Sequence, residues 1–330
     1  MIGTGPERSR WTVVASLLAR FLFAVLLALC LLEEGLRLLL PREGFRAARE
    51  LTHFRDRREL NDLYTVDSEL GFRPVLGTAL YNAYGALVND YPIEKRPGVT
   101  RLLFLGDSVT ARGGIIDGLR RIYGDTKYEY WNAGVESFNT GQEVAFYKRY
   151  NAALRPDRVI LTFHLNDFET TPVAFVSHER LVVYAPNFPA TELSPWLFTH
   201  SMIYRLVIGW VRFSEQKLDA IVDETERSLA DLKATLARER IPLTVVVLPI
   251  MAPYKQWSAA DKLSREQILG ILRRLKIRTI DLRPALDEAV AKGITLRESL
   301  LDSWHPSPEL AEAFARRLSD MRLLNGDGPE

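Results

Sequence analysis

Arg101-Leu102-Leu103-Phe104-Leu105-Gly106-Asp107-Ser108-Val109-Thr110 carries a short apolar run straight into a glycine-led polar turn. A run of this length closed by glycine reads as a buried strand entering a helix. Four more such runs follow: Tyr128 to Ala133, Arg158 to Phe163, Leu243 to Pro249 and Ile277 to Leu282. Helical spacing fills the intervals at Gly141 to Leu154, Glu215 to Glu239, Ser264 to Leu275 and Pro308 to Leu323. In the longest of these, Leu218, Ile221, Val222, Thr225, Leu229, Leu232 and Leu236 share one helix face. Alternation of strand and helix demands right-handed crossovers and a sheet covered on both sides. The expected fold class is therefore α/β, a three-layer α/β/α sandwich around a mostly parallel five-stranded sheet.

The chain has 330 residues, enough to bury a core without disulfide staples. A composition of 47% hydrophobic and 26% charged residues excludes wholesale disorder. Lys and Arg number 43 against 42 for Asp and Glu, a net charge of +1 with no local basic stripe, so nucleic acid is not an expected partner. The single cysteine, Cys30, excludes an internal disulfide and any zinc site of several cysteines.

Trp11 to Leu32 is apolar except for Thr12, Ser16 and Arg20. At about 1.5 Å per residue this stretch spans the roughly 30 Å hydrocarbon core of a bilayer. An arginine at the centre of a membrane helix costs about 2.5 to 3.5 kcal/mol, but Arg20 lies toward one end and can reach the headgroups. A cleaved signal peptide competes, since Arg8 and Arg10 precede the apolar core, and so does a buried core helix. No small-residue cleavage site follows, and Leu29 stands before Cys30 where a lipoprotein box has a small residue. An uncleaved transmembrane anchor is the expectation. Arg37, Arg42, Arg46 and Arg49 beyond the segment balance the arginines before it, so charge does not set the orientation.

The expected organisation is an N-terminus over residues 1–10, a transmembrane anchor with helical extension over 11–40, a juxtamembrane connector and accessory lead-in over 41–98, and the α/β domain over 99–330. An insertion over 170–213 brings Tyr184, Phe188, Trp196, Phe198, Tyr204 and Trp210, which suit either a lid or substrate wall or a satellite core. Within it, Ile203 to Val211 suits an amphipathic helix lying on the domain or on the membrane surface.

Ligands of open α/β sheets bind beyond the carboxyl ends of the strands. Four pieces of sequence fall there. Ser108 follows the first strand, where its hydroxyl projects into the crevice and the amides at the helix start face a developing oxyanion. Gly134, in Trp131-Asn132-Ala133-Gly134-Val135, lets an exposed N–H approach a substrate closely. His164-Leu165-Asn166-Asp167 ends the third strand, and the Asn166 amide can donate to the same oxyanion. Asp302-Ser303-Trp304-His305 precedes the last helix, and a carboxylate three residues before a histidine can hold Nδ1–H while Nε2 takes a proton from a serine. Singly, each also suits a helix cap or an ordinary turn; together and in order they point to a serine nucleophile with its base.

These pieces resemble the SGNH (GDSL-type) hydrolase superfamily over roughly Arg101 to Leu323, which implies a flavodoxin-like sheet. Gly106-Asp107-Ser108 is similar to the nucleophile block, Gly134 to the glycine block, Asn166 with Asp167 to the asparagine block, and Asp302 with His305 to the terminal block. His164 departs from the pattern, standing where the family commonly has glycine. The resemblance implies Ser108 as nucleophile, His305 as base and then acid, Asp302 as its orienting carboxylate, and an oxyanion hole from the Ser108 and Gly134 amides with the Asn166 side chain. No metal and no cofactor are expected. With the anchor, the chain looks like bacterial envelope proteins that remove or transfer O-acetyl groups on polysaccharides. That implies an acylated carbohydrate substrate, a single pass through the inner membrane with a cytoplasmic N-terminus and an extracytoplasmic, periplasmic domain, and an integral-membrane O-acyltransferase as partner. A non-catalytic carbohydrate-binding or scaffolding role in an envelope assembly is the alternative.

Overall fold

In a computed structural model of the chain, the Arg101 run forms an interior strand of a five-stranded sheet, second from one edge. The structure describes residues 7–39, 48–50, 63–168, 171, 173–177, 180–184, 197, 201–204, 207, 218–299 and 302–324. Most of the connector over 40–62 and most of the insertion, including Phe188, Trp196, Phe198 and Trp210, lie outside the described residues. Two compact units are present, Met1–Arg49 with Leu193–Gln216 and Glu50–Glu192 with Lys217–Glu330. The lead-in from Leu63 onward therefore belongs to the same unit as the sheet.

The first unit contains α1 (Glu7–Leu39). Its stretch from Trp11 to Leu38 is long and apolar enough to cross a membrane, and none of its most apolar part is buried within the protein. Trp11, Phe21, Phe23 and Leu31 are each at least 65% exposed, which excludes the core-helix reading; a signal sequence would meet the same test of length and composition.

The second unit opens with the hairpin β1 (Tyr64–Asp67) and β2 (Gly71–Pro74), then β3 (Thr100–Leu105), α2 (Ser108–Ala111), α3 (Gly114–Tyr123) and β4 (Tyr128–Asn132). It continues through α4 (Thr140–Arg149), β5 (Arg158–Phe163), the hairpin β6 (Val173–Ser177) and β7 (Arg180–Tyr184), and α5 (Leu218–Arg238). The chain closes with β8 (Leu243–Val247), α6 (Ala259–Arg274), β9 (Arg278–Asp281), α7 (Arg283–Ala291) and α8 (Pro308–Asp320). The sheet order is β4-β3-β5-β8-β9 and every pairing is parallel. From β3 the chain steps to β4 on one side and returns to β5 on the other, so right-handed crossovers place α3 and α4 on opposite faces. α8 packs on α3 and α7, while α4 packs on α5. The reversal opens a crevice beyond the carboxyl ends of β3 and β5.

Helix starts follow local chemistry that apolar spacing underreports. α6 begins five residues before the expected Ser264 because Ser258 and Asp261 form a reciprocal capping box. Asn139 and Gln142 do the same for α4, which ends at Arg149 and passes into a tighter turn over Asn151–Leu154. α3 and α7 escape the apolar pattern because glycines interrupt the first and Pro284 opens the second.

At the amino end of the sheet, Arg101 is buried and donates through Nε to Glu129 Oε2 at 2.8 Å, its neighbour across β3 and β4. Glu129 also accepts from Arg96 Nε at 2.9 Å and Trp131 Nε1 at 3.2 Å. Burial alone would raise the Glu129 carboxyl, but these hydrogen bonds outweigh it and hold it below the usual glutamate value. Arg101 donates further to the carbonyls of Pro92, Ile93 and Leu154, tying the lead-in to the sheet. Removing either member of such a pair strands a buried charge, at about 3–5 kcal/mol.

A second apolar cluster joins Tyr64, Leu70, Phe72, Tyr81, Val135, Phe138 and Phe146. Phe138 stands edge-on to Phe72 and Phe146 at 5.4 and 5.5 Å. The lead-in thus packs behind the turn after β4, and the Tyr81 hydroxyl donates to the Gly134 carbonyl at 3.1 Å.

Candidate active site

The nucleophile turn leaves β3 through Gly106, at φ 155°. A Cβ there would collide with the hydroxyls of Thr110 and Thr162, which hydrogen-bond to each other beneath the turn. Asp107 is buried and caps α2, its Oδ1 accepting from Val109 N–H at 2.9 Å. Ser108 is the first residue of α2, so its amide is among the leading N–H groups that lack an intrahelical acceptor.

The loop before α8 brings in the other half. Ser108 Oγ donates to His305 Nε2 at 2.8 Å, and His305 Nδ1–H donates to Asp302 Oδ2 at 2.6 Å. The two serine–histidine partners are 197 positions apart in sequence. The His305 side chain is 5% exposed and that of Asp302 23%. The second Asp302 oxygen accepts from the amides of Trp304 at 2.9 Å and His305 at 3.1 Å. Burial raises the Asp302 carboxyl, but the Trp304 amide, the His305 ring and the His305 amide outweigh it and hold the carboxyl below the usual aspartate value. The loop itself is held by Ser303 O accepting from Met251 N–H at 2.9 Å, His305 O from Glu298 N–H at 3.2 Å, and Ser307 Oγ donating to Thr295 O at 2.5 Å. Ser307 then caps α8 by accepting from Leu310 N–H.

Gly134 presses on the nucleophile helix so closely that a Cβ would collide with Ala111 N and lie 2.8 Å from the Thr110 carbonyl carbon. Its N–H donates to Asn132 Oδ1 at 2.9 Å, while Asn132 Nδ2 donates to Thr110 O at 2.7 Å. Asn132 therefore clamps the end of β4 onto α2, a role that its place two residues before Gly134 did not announce. Asn166 lies in the short helical turn Leu165–Phe168 after β5; its side chain is outside the described part of the structure. His164 is buried, its N–H donating to Asp167 Oδ2 at 2.6 Å, and its ring stands edge-on to Trp304 at 5.0 Å. It thus supports the loop that carries His305.

Two charged neighbours went unread in the sequence. Arg112, one helical turn after Ser108, pairs with Glu298 and lies 3.8 Å from Asp302 Oδ2. Donor atoms of Glu298, Asp302 and His305 fall within 4.8 Å of one another. Arg112 already stands against both carboxylates and His305 Nδ1 is engaged by Asp302, so the donor atoms of this cluster are taken and it is poorly suited to a cation. Glu143, buried on α4, has neither carboxyl oxygen hydrogen-bonded among the described residues. Burial, reinforced by the charge of Asp107, pushes its carboxyl well above the usual glutamate value, which favours the neutral acid behind the nucleophile turn.

A serine hydroxyl bonded to an imidazole that is itself bonded to a carboxylate defines the class of serine hydrolase-type sites, here set at the switch point of a parallel sheet. In sheet order, in the serine turn after β3 and in the Asp302–His305 loop, the chain resembles the SGNH (GDSL-type) hydrolases. No protein-family profile matches the chain, and no curated protein matches it. Among solved structures, an α/β hydrolase from the metagenome of Lake Arreo, Spain, matches at 15% identity and a TM-score of 0.46, over 69% of this chain and 97% of that one. An acetylxylan esterase from Geobacillus stearothermophilus matches at 15% identity and a TM-score of 0.45, over 71% of this chain and 100% of its own. A further acetyl xylan esterase matches at 14% identity and a TM-score of 0.45, over 67% of this chain and 99% of its own.

Proposed function

We propose that the protein is a membrane-anchored serine acyl-ester enzyme that acts on O-acyl groups, chiefly O-acetyl, of an envelope or exported polysaccharide through an acyl-serine intermediate. The observation that carries this is the Ser108–His305–Asp302 relay, with contacts of 2.8 and 2.6 Å. Ser108 Oγ attacks the ester carbonyl while its proton passes to His305 Nε2, and Asp302 steadies the imidazolium. The tetrahedral intermediate collapses as His305 returns the proton to the departing sugar oxygen, leaving the acyl group on Ser108. Water or a second sugar hydroxyl, deprotonated by His305, then releases acid or forms a new ester.

The oxyanion is assigned to the amides of Ser108 and Gly134 and to the Asn166 side chain. Catalytic hydrogen bonds often tighten only when substrate is present. For Gly134 to serve, its N–H turns from Asn132 Oδ1 to the substrate oxygen, with Asn132 still tied to Thr110 O through Nδ2. The exposed apolar face of α1 supports anchoring in a bacterial inner membrane, with the catalytic unit on the extracytoplasmic side where such polysaccharides lie. An integral-membrane O-acyltransferase is the proposed source of acyl groups if the resolving nucleophile is a sugar.

The test is p-nitrophenyl acetate turnover by the full chain in detergent against Ser108→Ala, with and without an oligosaccharide acceptor. Turnover that vanishes in the variant supports the enzyme, and acetylated acceptor identified by mass marks a transferase rather than an esterase. Equal rates for the two proteins would favour the non-catalytic carbohydrate-binding role.

A further inference from the structure

Within the first unit, Glu33 of α1 is bound by a distant piece of chain. Glu33 Oε2 accepts from Ser201 Oγ and from Ile203 N–H, each at 3.0 Å, and Oε1 accepts from Met202 N–H at 2.6 Å. Arg37 pairs with the same carboxylate at 3.0 Å. Residues 202–204 are helical, with Ser201 Oγ accepting from Tyr204 N–H at 3.1 Å, so Glu33 takes up leading amides of this turn. Met202 is buried, whereas Leu197 and Val207 on either side are 37% and 50% exposed.

The place of Glu33 along α1 gives these bonds their meaning. No charged residue lies between Arg20 and Glu33, and Glu34 and Arg37 follow at once. The charge-poor stretch Trp11 to Leu32 is about 33 Å long as a helix, close to the thickness of a bilayer's hydrocarbon core. Charged side chains are costly inside that core, so Glu33 marks its boundary. Whatever Glu33 holds is fixed at the same depth. The sequence around the three residues it binds, from Leu193 to Val211, contains a single Arg or Lys, Arg205, no Asp or Glu, and a tryptophan toward each end, Trp196 and Trp210. Apolar and aromatic residues with a basic one are the composition of a segment that lies in the headgroup layer.

Resting on the membrane-anchor reading above, we propose that the segment around Ser201–Tyr204 is an interfacial, lipid-contacting element. Glu33 pins it to the phospholipid surface, where Leu197 and Val207 enter the boundary between headgroups and acyl chains. The anchor then grips the bilayer at its edge as well as through its core.

The test uses the full chain in phosphatidylcholine–phosphatidylglycerol nanodiscs, in a Cys30→Ala background, with single cysteines carrying an environment-sensitive fluorophore. Val207→Cys and Leu197→Cys are the test sites, Leu22→Cys reports α1, and Lys292→Cys reports the exposed surface of the catalytic unit. With lipid brominated near the headgroup end of its acyl chains, the Val207 and Leu197 probes are expected to be quenched severalfold more than the Lys292 probe, and the Leu22 probe, midway along the span, is read with lipid brominated near the ends of its acyl chains. Glu33→Ala is expected to abolish the excess at Val207 while leaving Leu22 unchanged. Unquenched Val207 and Leu197 probes beside a quenched Leu22 probe would overturn the inference and leave the anchor standing, and a blue-shifted but unquenched Val207 probe would show protein covering it instead. An unquenched Leu22 probe would overturn the anchor and the inference with it. Quenching at Val207 that survives Glu33→Ala would refute the pinning role.

Discussion

The two halves of the site are held by different physics. The Ser108 half is set by steric fit: Gly106 and Gly134 leave no room for a Cβ, Asn132 clamps β4 to α2, and two threonine hydroxyls fill the space beneath. The His305 half is set by polar contacts: Asp302 receives three hydrogen bonds, Arg112 stands beside it, and the loop hangs on backbone bonds to Met251 and Glu298. One half fails when atoms are added, the other when charges or donors are removed.

The largest effect is expected from Asp302→Asn. The amide keeps the shape but disfavours the tautomer that leaves Nε2 free, a change that costs about 10⁴-fold in comparable triads. Turnover should fall by about that factor while the thermal midpoint moves little; a rate within tenfold of wild type would remove Asp302 from the relay.

Gly134→Ala probes the other half by adding one methyl. Because the obstructing atoms are backbone, α2 must shift, and overpacking of this kind costs about 1–3 kcal/mol. Displacing the proposed oxyanion amide should also cut turnover by about 10²–10³-fold. Gly270→Ala on α6, where the nearest atom is an arginine terminus at 3.6 Å, is the control and is expected to raise the melting temperature. If Gly134→Ala melts and turns over like wild type, the steric account of the Ser108 half is wrong.

A smaller effect should appear in the pH dependence of stability. The Glu143 carboxyl is raised in the folded protein above its ordinary value of 4.5. Above that pH the folded state retains a proton that the unfolded chain has lost, so stability falls as pH rises, by about 1.4 kcal/mol per unit, until the folded value is passed. Glu143→Gln should flatten this slope and melt higher than wild type at neutral and alkaline pH. Parallel melting curves from pH 5 to 9 would show instead that Glu143 is ionised and compensated.

Legibility in the sequence followed the same division. The sheet strands were readable from apolar runs, Arg158 to Phe163 to the residue, because buried parallel strands need continuous apolar side chains. Ser108, Asp302 and His305 stood out because the turn after β3 and the loop before α8 place polar groups where a strand or helix ends. Asn132 and Arg112 did not, since a clamp and a neighbouring charge acquire meaning only from what faces them in space. Glu143 looked like any helical glutamate; its burial and the proximity of Asp107 arise from packing. α3 and α7 were hidden by glycine and proline, and the α6 start was hidden by a cap that apolar spacing does not register.

The most direct test of the central claim is rapid-quench mass spectrometry of the full chain after mixing with p-nitrophenyl acetate. The account predicts one acetyl group per chain, on the peptide containing Ser108, appearing before steady-state turnover and absent from Ser108→Ala. Unimpaired turnover in Ser108→Ala, or acetylation confined to another residue, would contradict it.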